Sequence, residues 1–552
     1  MVARLLQLRG MHTPEQVDRF LRPRLEDLLD PWLMKDMDLA VERIQEADQN
    51  GERIVVYGDY DVDGATSVSL MSEFLRNNGF HVEPYIPDRY KEGYGLSRKG
   101  IDYAEKTGCT LIIMLDCGIR ACELIGEARS RGIDTIVCDH HLPGPELPPA
   151  YAILNPKQED CPYPFKHLSG CGVGFKLTQA LVEQRGLPDV SAYDGLDLVA
   201  LSIAADLVEV TGENRVMLYH GMERIKEKVR PGISALIRTA HCSPDLITAR
   251  DILFRISPRI NAAGRIGHAM EAVDLLISHD NSSCNKMAAD LDRRNDLRRQ
   301  FDAEVTESAL RQLESHDKYP HLNIVWGKGW HRGVIGIVAS RLIEHRHRPS
   351  VVISDDKDLD VSDDQRVLVG SARSVVGVDI HEALRACGEH LDQFGGHSMA
   401  AGLTIKPGRE IVFAEALDRA VAEQLKQGPQ LEPKFYDMEV DLADLKPSVL
   451  QNLRQFEPYG PGARAPVFLA RNLRHAFKLR LVGKEERHLR VGLGSDTTTY
   501  PVEAIAFNFG EDFQRWNNCE RFTAVFNVQS ETYRGEVKPR VAIEAWWPES
   551  EE

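Results

Sequence analysis

Arg53-Ile54-Val55-Val56-Tyr57-Gly58-Asp59-Tyr60-Asp61-Val62-Asp63-Gly64 is the stretch on which the fold turns. A run of β-branched and aromatic residues reads as a strand, and three aspartates follow it at once. Two further runs behave alike. Leu111-Ile112-Ile113-Met114-Leu115 ends in Asp116-Cys117-Gly118, and Ile133-Asp134-Thr135-Ile136-Val137-Cys138 ends in Asp139-His140-His141. Continuous apolar runs of this length mark strands covered on both faces, as in a parallel sheet. Helical spacing between them, over Ala65 to Asn77 and Ala121 to Arg131, predicts β-α-β units and a doubly wound α/β sheet.

Ligands of an open parallel sheet gather at the carboxyl ends of its strands. Three strand ends bring Asp59, Asp61, Asp63, Asp116 and Asp139 to one rim with His140 and His141. Carboxylates that close repel one another and lift each other's pKa, and a divalent cation relieves this. Oxygen donors with one or two imidazoles favour Mg²⁺ or Mn²⁺, and the histidines tilt the choice toward Mn²⁺. Zinc through Cys117, Cys138 and His140 fits poorly among so many aspartates. In an extended segment Asp61 and Asp63 point to the same side, and Gly64 admits a tight turn into the next helix. Two ions about 4 Å apart would activate water and stabilise the leaving oxygen of a phosphoester.

Outward from this core, residues 1–50 read as a polar helical segment and 231–320 as a helical region. The latter ends in a charged connecting helix from Asn285 to Ser315. A second α/β pattern starts at Leu322-Asn323-Ile324-Val325-Trp326 and continues through helix Gly333 to Glu344, strand Ser350 to Ser354 and helix Ile380 to Leu391. Period-two strands at Phe522 to Val528 and Val541 to Trp546 predict a small C-terminal β-barrel. The chain of 552 residues therefore divides at 51–230, 321–428 and 432–552. Its net charge of -17 argues mildly against a phosphate polymer. Yet Arg471 to Arg490 holds seven basic residues against two acidic ones, so the average conceals a basic segment. Phe507, Phe509 and Tyr533 beside Arg534 offer stacking faces, while Trp546 and Trp547 suit barrel closure. No apolar run is long enough to span a bilayer, and the ten irregularly placed cysteines suit reduced thiols in the cytoplasm. Gly172-Val173-Gly174 lacks the third glycine and preceding strand of a dinucleotide loop, and there is no P-loop.

Taken together, Val56 to Thr66, Leu115 to Gly118, Val137 to Gly144 and Ser202 to Val208 resemble the motifs of the DHH phosphoesterase superfamily. Gly327 to Arg341, Gly370 to Ser374 and Gly395 to Gly402 resemble its second, DHHA1, domain. Ser257-Pro258-Arg259-Ile260-Asn261-Ala262-Ala263-Gly264-Arg265 is similar to a stretch particular to the RecJ exonucleases, and the likeness spans nearly the whole chain. It implies a DHH domain, a long connecting helix, a DHHA1 domain and a C-terminal OB-fold. By that resemblance Asp61, Asp63, Asp116, His140 and Asp206 are metal ligands, and Asp59 stands where many relatives carry a histidine ligand. Asp139 would orient His140, and His141 would meet the scissile phosphate, because adjacent residues do not easily face one ligand. Cys117 stands where several relatives have asparagine.

Arg89, Arg259, Asn261, Arg265, Ser371, Arg373, Gly395, Gly396 and His397 are implied contacts to phosphate or nucleic-acid backbone. Lys484, Arg487, Arg490, Phe507, Tyr533 and Arg534 are candidate contacts on the barrel. The activity implied is 5′→3′ hydrolysis of single-stranded DNA with two Mn²⁺ or Mg²⁺ ions, in a cleft between the two α/β domains. The chain would act as a monomer in DNA repair and recombination, beside a single-strand-binding protein and a helicase. The alternatives are a phosphodiesterase on short oligonucleotides or small molecules, and a non-catalytic single-strand-binding replication factor.

Overall fold

A computed structural model describes residues 1–315, 318–355, 368–426, 435–483, 486–498, 501–533 and 536–549, with side chains at all but 447, 450, 529–533 and 536–539. The described residues fall into two compact units. One comprises those of 1–261, 269–289 and 434–552, and the other those of 262–268 and 290–433.

The first unit is built on a five-stranded sheet of β1 (Arg53–Gly58), β2 (His81–Tyr85), β3 (Cys109–Leu115), β4 (Asp134–Cys138) and β5 (Ala152–Leu154). Every pairing is parallel, in the order β2-β1-β3-β4-β5. The three strands expected from sequence are present, and Ile54 to Tyr57 and Leu111 to Leu115 are fully buried, as a sheet covered on both faces demands. Sequence reading missed the other two. β2 carries Pro84, tolerated because this is an edge strand, and β5 is only three residues long.

Val55, Tyr57, Ile112 and Met114 pack against Ile101, Ala104, Ile125 and Ala128 of helices Arg98–Lys106 and Cys122–Ser130. Helix Val62–Asn77 packs with helices Gly170–Gln184 and Leu196–Asp206 in the opposite layer. Strand order reverses between β1 and β3, which places a topological switch point at the carboxyl ends of those two strands.

The barrel belongs to the same unit. Its strands are β11 (Met438–Glu439), β12 (Val467–His475), β13 (Arg480–Val482), β14 (His488–Gly494), β15 (Val502–Ala506), β16 (Phe522–Tyr533) and β17 (Glu536–Pro548). The ring β12-β14-β15-β17-β16 closes on β12, with β15 and β17 parallel. Helix Phe513–Asn517 lies between β15 and β16 in the chain. This is an OB-fold. Trp546 stacks on Trp516 at 4.6 Å in its core, in keeping with a role in closure. Leu5 and Leu6 of helix Val2–Leu8 enter the same core, with Val17 and Phe20 of helix Pro14–Leu21 packed against it. The first residues of the chain thus complete the hydrophobic interior of the last domain.

The second unit holds β6 (Asn323–Gly327), β7 (Ser350–Asp355), β8 (Leu368–Arg373), β9 (Leu391–His397) and β10 (Ala400–Ile405), in the order β6-β7-β8-β10-β9. Only β6 and β7 run parallel. The charged helix begins at Asn281, four residues before the expected Asn285, and spans 35 residues to Ser315. The expected helix from Ile380 to Leu391 is shorter than its reading. It ends at Ala386, because its buried positions Ile380, Ala383 and Leu384 stop short of Gly388, and Leu391 opens β9 instead.

Candidate metal centre

Asp59 follows β1, and Asp61 caps helix Val62–Asn77 by accepting a hydrogen bond from the Gly64 amide at 3.1 Å. Asp63 therefore sits inside the first helical turn. The extended geometry expected for Asp61 and Asp63 does not occur. Two residues of helix turn through about 200°, so the pair faces different neighbours. Gly64 does not serve a turn either: a β-carbon there would lie 2.2 Å from the Asp59 carbonyl oxygen, so its value is close approach.

Three sets of ligand atoms come together, each within 4.8 Å: Asp59, Asp61 and Asp116; Asp116, His140 and His141; and Asp63, His140 and Asp206. Asp116 and His140 each belong to two sets, which links all three. His140 Nε2 lies 3.1 Å from Asp116 Oδ1, 3.6 Å from Asp206 Oδ2 and 3.8 Å from Asp63 Oδ2. Asp206 is the last residue of helix Leu196–Asp206, and the fold brings its carboxylate to His140.

Asp63 is held by three donors. Gly170 N reaches Oδ2 at 2.7 Å, and Cys171 N and the Ser202 hydroxyl reach Oδ1 at 2.8 and 2.7 Å. The two amides open helix Gly170–Gln184, whose N-cap is Ser169, so the glycines rejected as a dinucleotide loop flank a helix N-terminus that binds a carboxylate. Gly170 is needed for contact as well, since a β-carbon there would lie 2.5 Å from Asp116 Cβ. Asp116 itself adopts a left-handed backbone with φ 59°.

Asp139 departs from its expected role. Its Oδ1 accepts from the His140 and His141 amides and from His141 Nδ1 at 2.8 Å, and its Oδ2 accepts from the Ile119 amide. The ring it orients is that of His141, not His140. Burial would raise Asp139, but the His141 hydrogen bond and charge, with the amides, outweigh it and hold the carboxyl at about 2. Burial likewise opposes the rise in His141, which its bond to Asp139 nevertheless carries above the usual histidine value. Both imidazoles also approach one carboxylate, against the expectation for adjacent residues. Their rings lie 4.5 Å apart, and His141 Nδ1 is 3.9 Å from Asp116 Oδ1.

Elsewhere in the cluster burial and mutual repulsion dominate. Asp59, Asp61 and Asp116 are all pushed upward, and Asp206 rises to about 9. Burial pulls His140 down. Asp59 Oδ1, Asp116 Oδ1 and both ring nitrogens of His140 are buried without a hydrogen-bond partner. The 3.1 Å approach of His140 to Asp116 is thus a close contact rather than a good hydrogen bond. Buried carboxylates and an imidazole left unsatisfied and facing one another are the donor set that a divalent cation requires.

Around this centre Tyr94, missed from sequence, donates to the Asp116 carbonyl at 3.2 Å and stands edge-on to His141. Its aromatic neighbours give no periodic signal; only proximity to Asp116 in space reveals it. Arg89 stacks over Tyr60 at 4.5 Å and draws Asp59 downward by its charge. Arg259 is buried, and its guanidinium donates to the carbonyls of Thr239 and Arg255. Asn261 is half-buried near the end of the same stretch. Arg265, in the second unit, donates to the Gly333 carbonyl at 2.9 Å.

In the second unit the strand register gathers three separate motifs. Ser371 of β8 pairs with Gly402 of β10, which pairs with Gly395 of β9; Arg373, Ala400 and His397 form the next row. Directly paired residues share a face, so Ser371, Arg373, Gly395 and His397 lie on one side of the sheet. Arg373 donates to the Ser371 hydroxyl at 3.1 Å. Beyond Gly395 and Gly402 there is open space. Gly396 is different: with φ 146° and a β-carbon position 2.3 Å from the Ala400 oxygen, strand pairing alone demands glycine.

On the barrel, Arg487 is exposed, Arg490 pairs with Glu503 at 2.6 Å, and Phe507 packs beside His488 and under Arg540. Phe509 is half-buried and packs edge-on against Trp516 at the margin of the barrel core. Lys484 and Arg534 lie outside the described residues, as does the side chain of Tyr533.

Comparison with known families agrees with this architecture. The DHH family N-terminal domain matches residues 53–203, the DHHA1 domain 318–423 and the RecJ OB domain 436–545. The single-stranded-DNA-specific exonuclease RecJ of Escherichia coli is 33% identical over 99% of this chain and 96% of its own length. The chain belongs to the RecJ family. RecJ of Bacillus subtilis is 34% identical over 98% of this chain and 67% of its own length. Among solved structures, RecJ of Thermus thermophilus in complex with Mn²⁺ superposes with a TM-score of 0.80 at 26% identity, covering 99% of this chain and 75% of that one. The same RecJ has also been solved with Mg²⁺.

Proposed function

We propose that this member of the RecJ family is a 5′→3′ exonuclease specific for single-stranded DNA, hydrolysing phosphodiester bonds with two divalent metal ions. The observation that carries the reading is the linked cluster, in which Asp116 and His140 are each shared between two three-ligand sets and present buried atoms lacking partners. Asp59, Asp61, Asp63, Asp116, His140 and Asp206 would hold Mn²⁺ or Mg²⁺. When bound, such ions supply an activated water and neutralise charge on the leaving oxygen.

The protein's own groups do the rest. The Asp63 cradle of two amides and one hydroxyl keeps that ligand from rotating, an outer layer of the kind on which metal sites depend. Asp139 commits His141 Nδ1, which leaves Nε2 to meet phosphate or move a proton. Ser371, Arg373, Gly395 and His397 would hold the terminal phosphate and nearby backbone, with a guanidinium beside a hydroxyl as donors and the open face at Gly395 permitting close approach. Arg89 is assigned to the same task at the catalytic end, and Arg265 in the second unit. The OB domain would carry single-stranded DNA through Arg487 and Phe507.

Kinship with the family further suggests a cytoplasmic monomer in DNA repair and recombination, beside a single-strand-binding protein and a helicase. No helix among the described residues is long and apolar enough to cross a membrane. The deciding experiment is digestion of single strands labelled at either end, in Mn²⁺ and in Mg²⁺, alongside a duplex and a dinucleotide. Early release of mononucleotide from the 5′ label supports the reading. Early release from the 3′ label, equal cutting of duplex, or cleavage of the dinucleotide alone contradicts it.

A further inference from the structure

Asp206 ends its helix, and the chain reverses immediately at Leu207, which is left-handed (φ 57°) and exposed. What holds the following turn is the approach to the barrel. The Val210 amide donates to the Pro461 carbonyl at 2.7 Å. A β-carbon on Gly460 would lie 2.4 Å from Val210 Cγ2, and one on Gly462 would lie 2.9 Å from Thr211 Cγ2, so the two segments are in direct contact. Five residues beyond Val210, buried Arg215 locks the same pair. It donates to the carbonyls of Pro458 (2.9 Å), Phe456 (3.1 Å) and Glu457 (3.1 Å), and from Nε to the Phe20 carbonyl (2.9 Å). Its guanidinium lies 3.9 Å from the Phe20 ring centre. Asn214 ties the turn to itself through the Glu209 carbonyl at 2.9 Å.

We propose that Arg215 and the seat formed by Phe456 to Gly462 are positioning elements for Asp206, so that metal affinity at the Asp63–His140–Asp206 set depends on docking of the barrel's approach segment. The proposal rests on reading Asp206 as a metal ligand. Its physical basis is that a carboxylate at a helix end has no continuing helix to fix it, and the turn that does fix it leans on residues some 250 positions later, Val210 against Pro461. Loss of outer support around a ligand typically costs about 10–100-fold in metal affinity. Arg215 does not touch the metal set; it would act through the turn.

The test uses the full chain. Mn²⁺ binding is measured by titration calorimetry and by electron paramagnetic resonance for the unmodified protein, Arg215→Lys, Gly460→Ala and Trp546→Phe. The last alters the barrel core at the Trp516–Trp546 stack, outside residues 206–215 and 456–462. The expected result is one of two Mn²⁺ sites weakened about 10–100-fold in Arg215→Lys and Gly460→Ala, with the half-activating Mn²⁺ concentration raised in proportion and turnover restored at saturation. Trp546→Phe should lower the melting temperature and leave Mn²⁺ affinity unchanged. Unchanged affinity in folded Arg215→Lys overturns the proposal, as does equal weakening in Trp546→Phe. Should Arg215→Lys not fold, Gly460→Ala decides in the same way. If the unmodified protein binds no Mn²⁺, the metal-site reading falls and this proposal with it.

Discussion

Replacing Gly170 with alanine adds one methyl group where the start of a helix meets Asp116 of the metal centre. That carbon would lie 2.5 Å from Asp116 Cβ, 2.8 Å from its Cα and 2.9 Å from its Cγ. Non-bonded carbons rest at about 3.5–4.0 Å, so one side must retreat by about 1 Å. If the helix start retreats, the Gly170 and Cys171 amides leave Asp63, now 2.7 and 2.8 Å away. If Asp116 retreats, it leaves His140, now at 3.1 Å. Either way a candidate ligand moves by about 1 Å, and misplacement of that size costs about 10²-fold in rate. Stability should suffer far less: overpacking costs about 1–3 kcal/mol, and alanine returns up to about 1 kcal/mol of helix propensity. The assay is the initial rate on a 5′-labelled single strand at saturating Mn²⁺, paired with a thermal melt. Gly174→Ala in the same helix is the comparison, because its methyl would meet only the flexible end of Leu115, at 3.0 Å. A folded Gly170→Ala protein retaining most of its rate, or a Gly174→Ala protein losing as much, would refute the reasoning.

Asp63→Ala should lower hydrolysis by about three orders of magnitude, the several kcal/mol that metal stabilisation supplies, while single-strand binding by fluorescence anisotropy stays largely intact; normal turnover would discard the site. The chelated protein should lose stability as pH rises from about 4 toward 9. Asp59, Asp61 and Asp116 sit above their ordinary values and Asp206 is at about 9, so the folded state keeps protons that the unfolded chain releases. Mn²⁺ should therefore raise the melting temperature more at pH 9 than at pH 6, and the opposite trend would contradict the cluster's electrostatics. Leu5→Ala should destabilise the barrel by about 2–5 kcal/mol, because Leu5 is fully buried in its core. Urea unfolding followed by tryptophan fluorescence measures this, and an unchanged midpoint would detach the N-terminal helix from the barrel.

The overall design was legible because its signals are local. Apolar runs ending in aspartate announce three strands and one rim, and period-two strands near the C-terminus point to the barrel. Sequence could not show how the ligands divide. Asp61 and Asp63 are two residues apart yet belong to different sets, because the helix starts between them. Asp139 and His141 form the oriented pair only because backbone amides on the Asp139 carboxylate fix its direction. Phe507 and Phe509 looked alike, and packing against Trp516 alone separates them.

By itself, then, the sequence determined the three strands that carry the site, the acidic rim, the kind of metal such donors favour and the family. These follow from residue type and short-range periodicity, which a chain carries wherever it goes. Tertiary structure decided which atoms converge. Asp63 finds its amide donors 107 and 108 residues away, and Ser371 joins Gly402 and Gly395 through strand register. The turn after Asp206 rests on a carbonyl of the barrel's approach segment. Such contacts are set by the packing of whole elements against one another, and no local pattern encodes the distance between two side chains that meet only after folding.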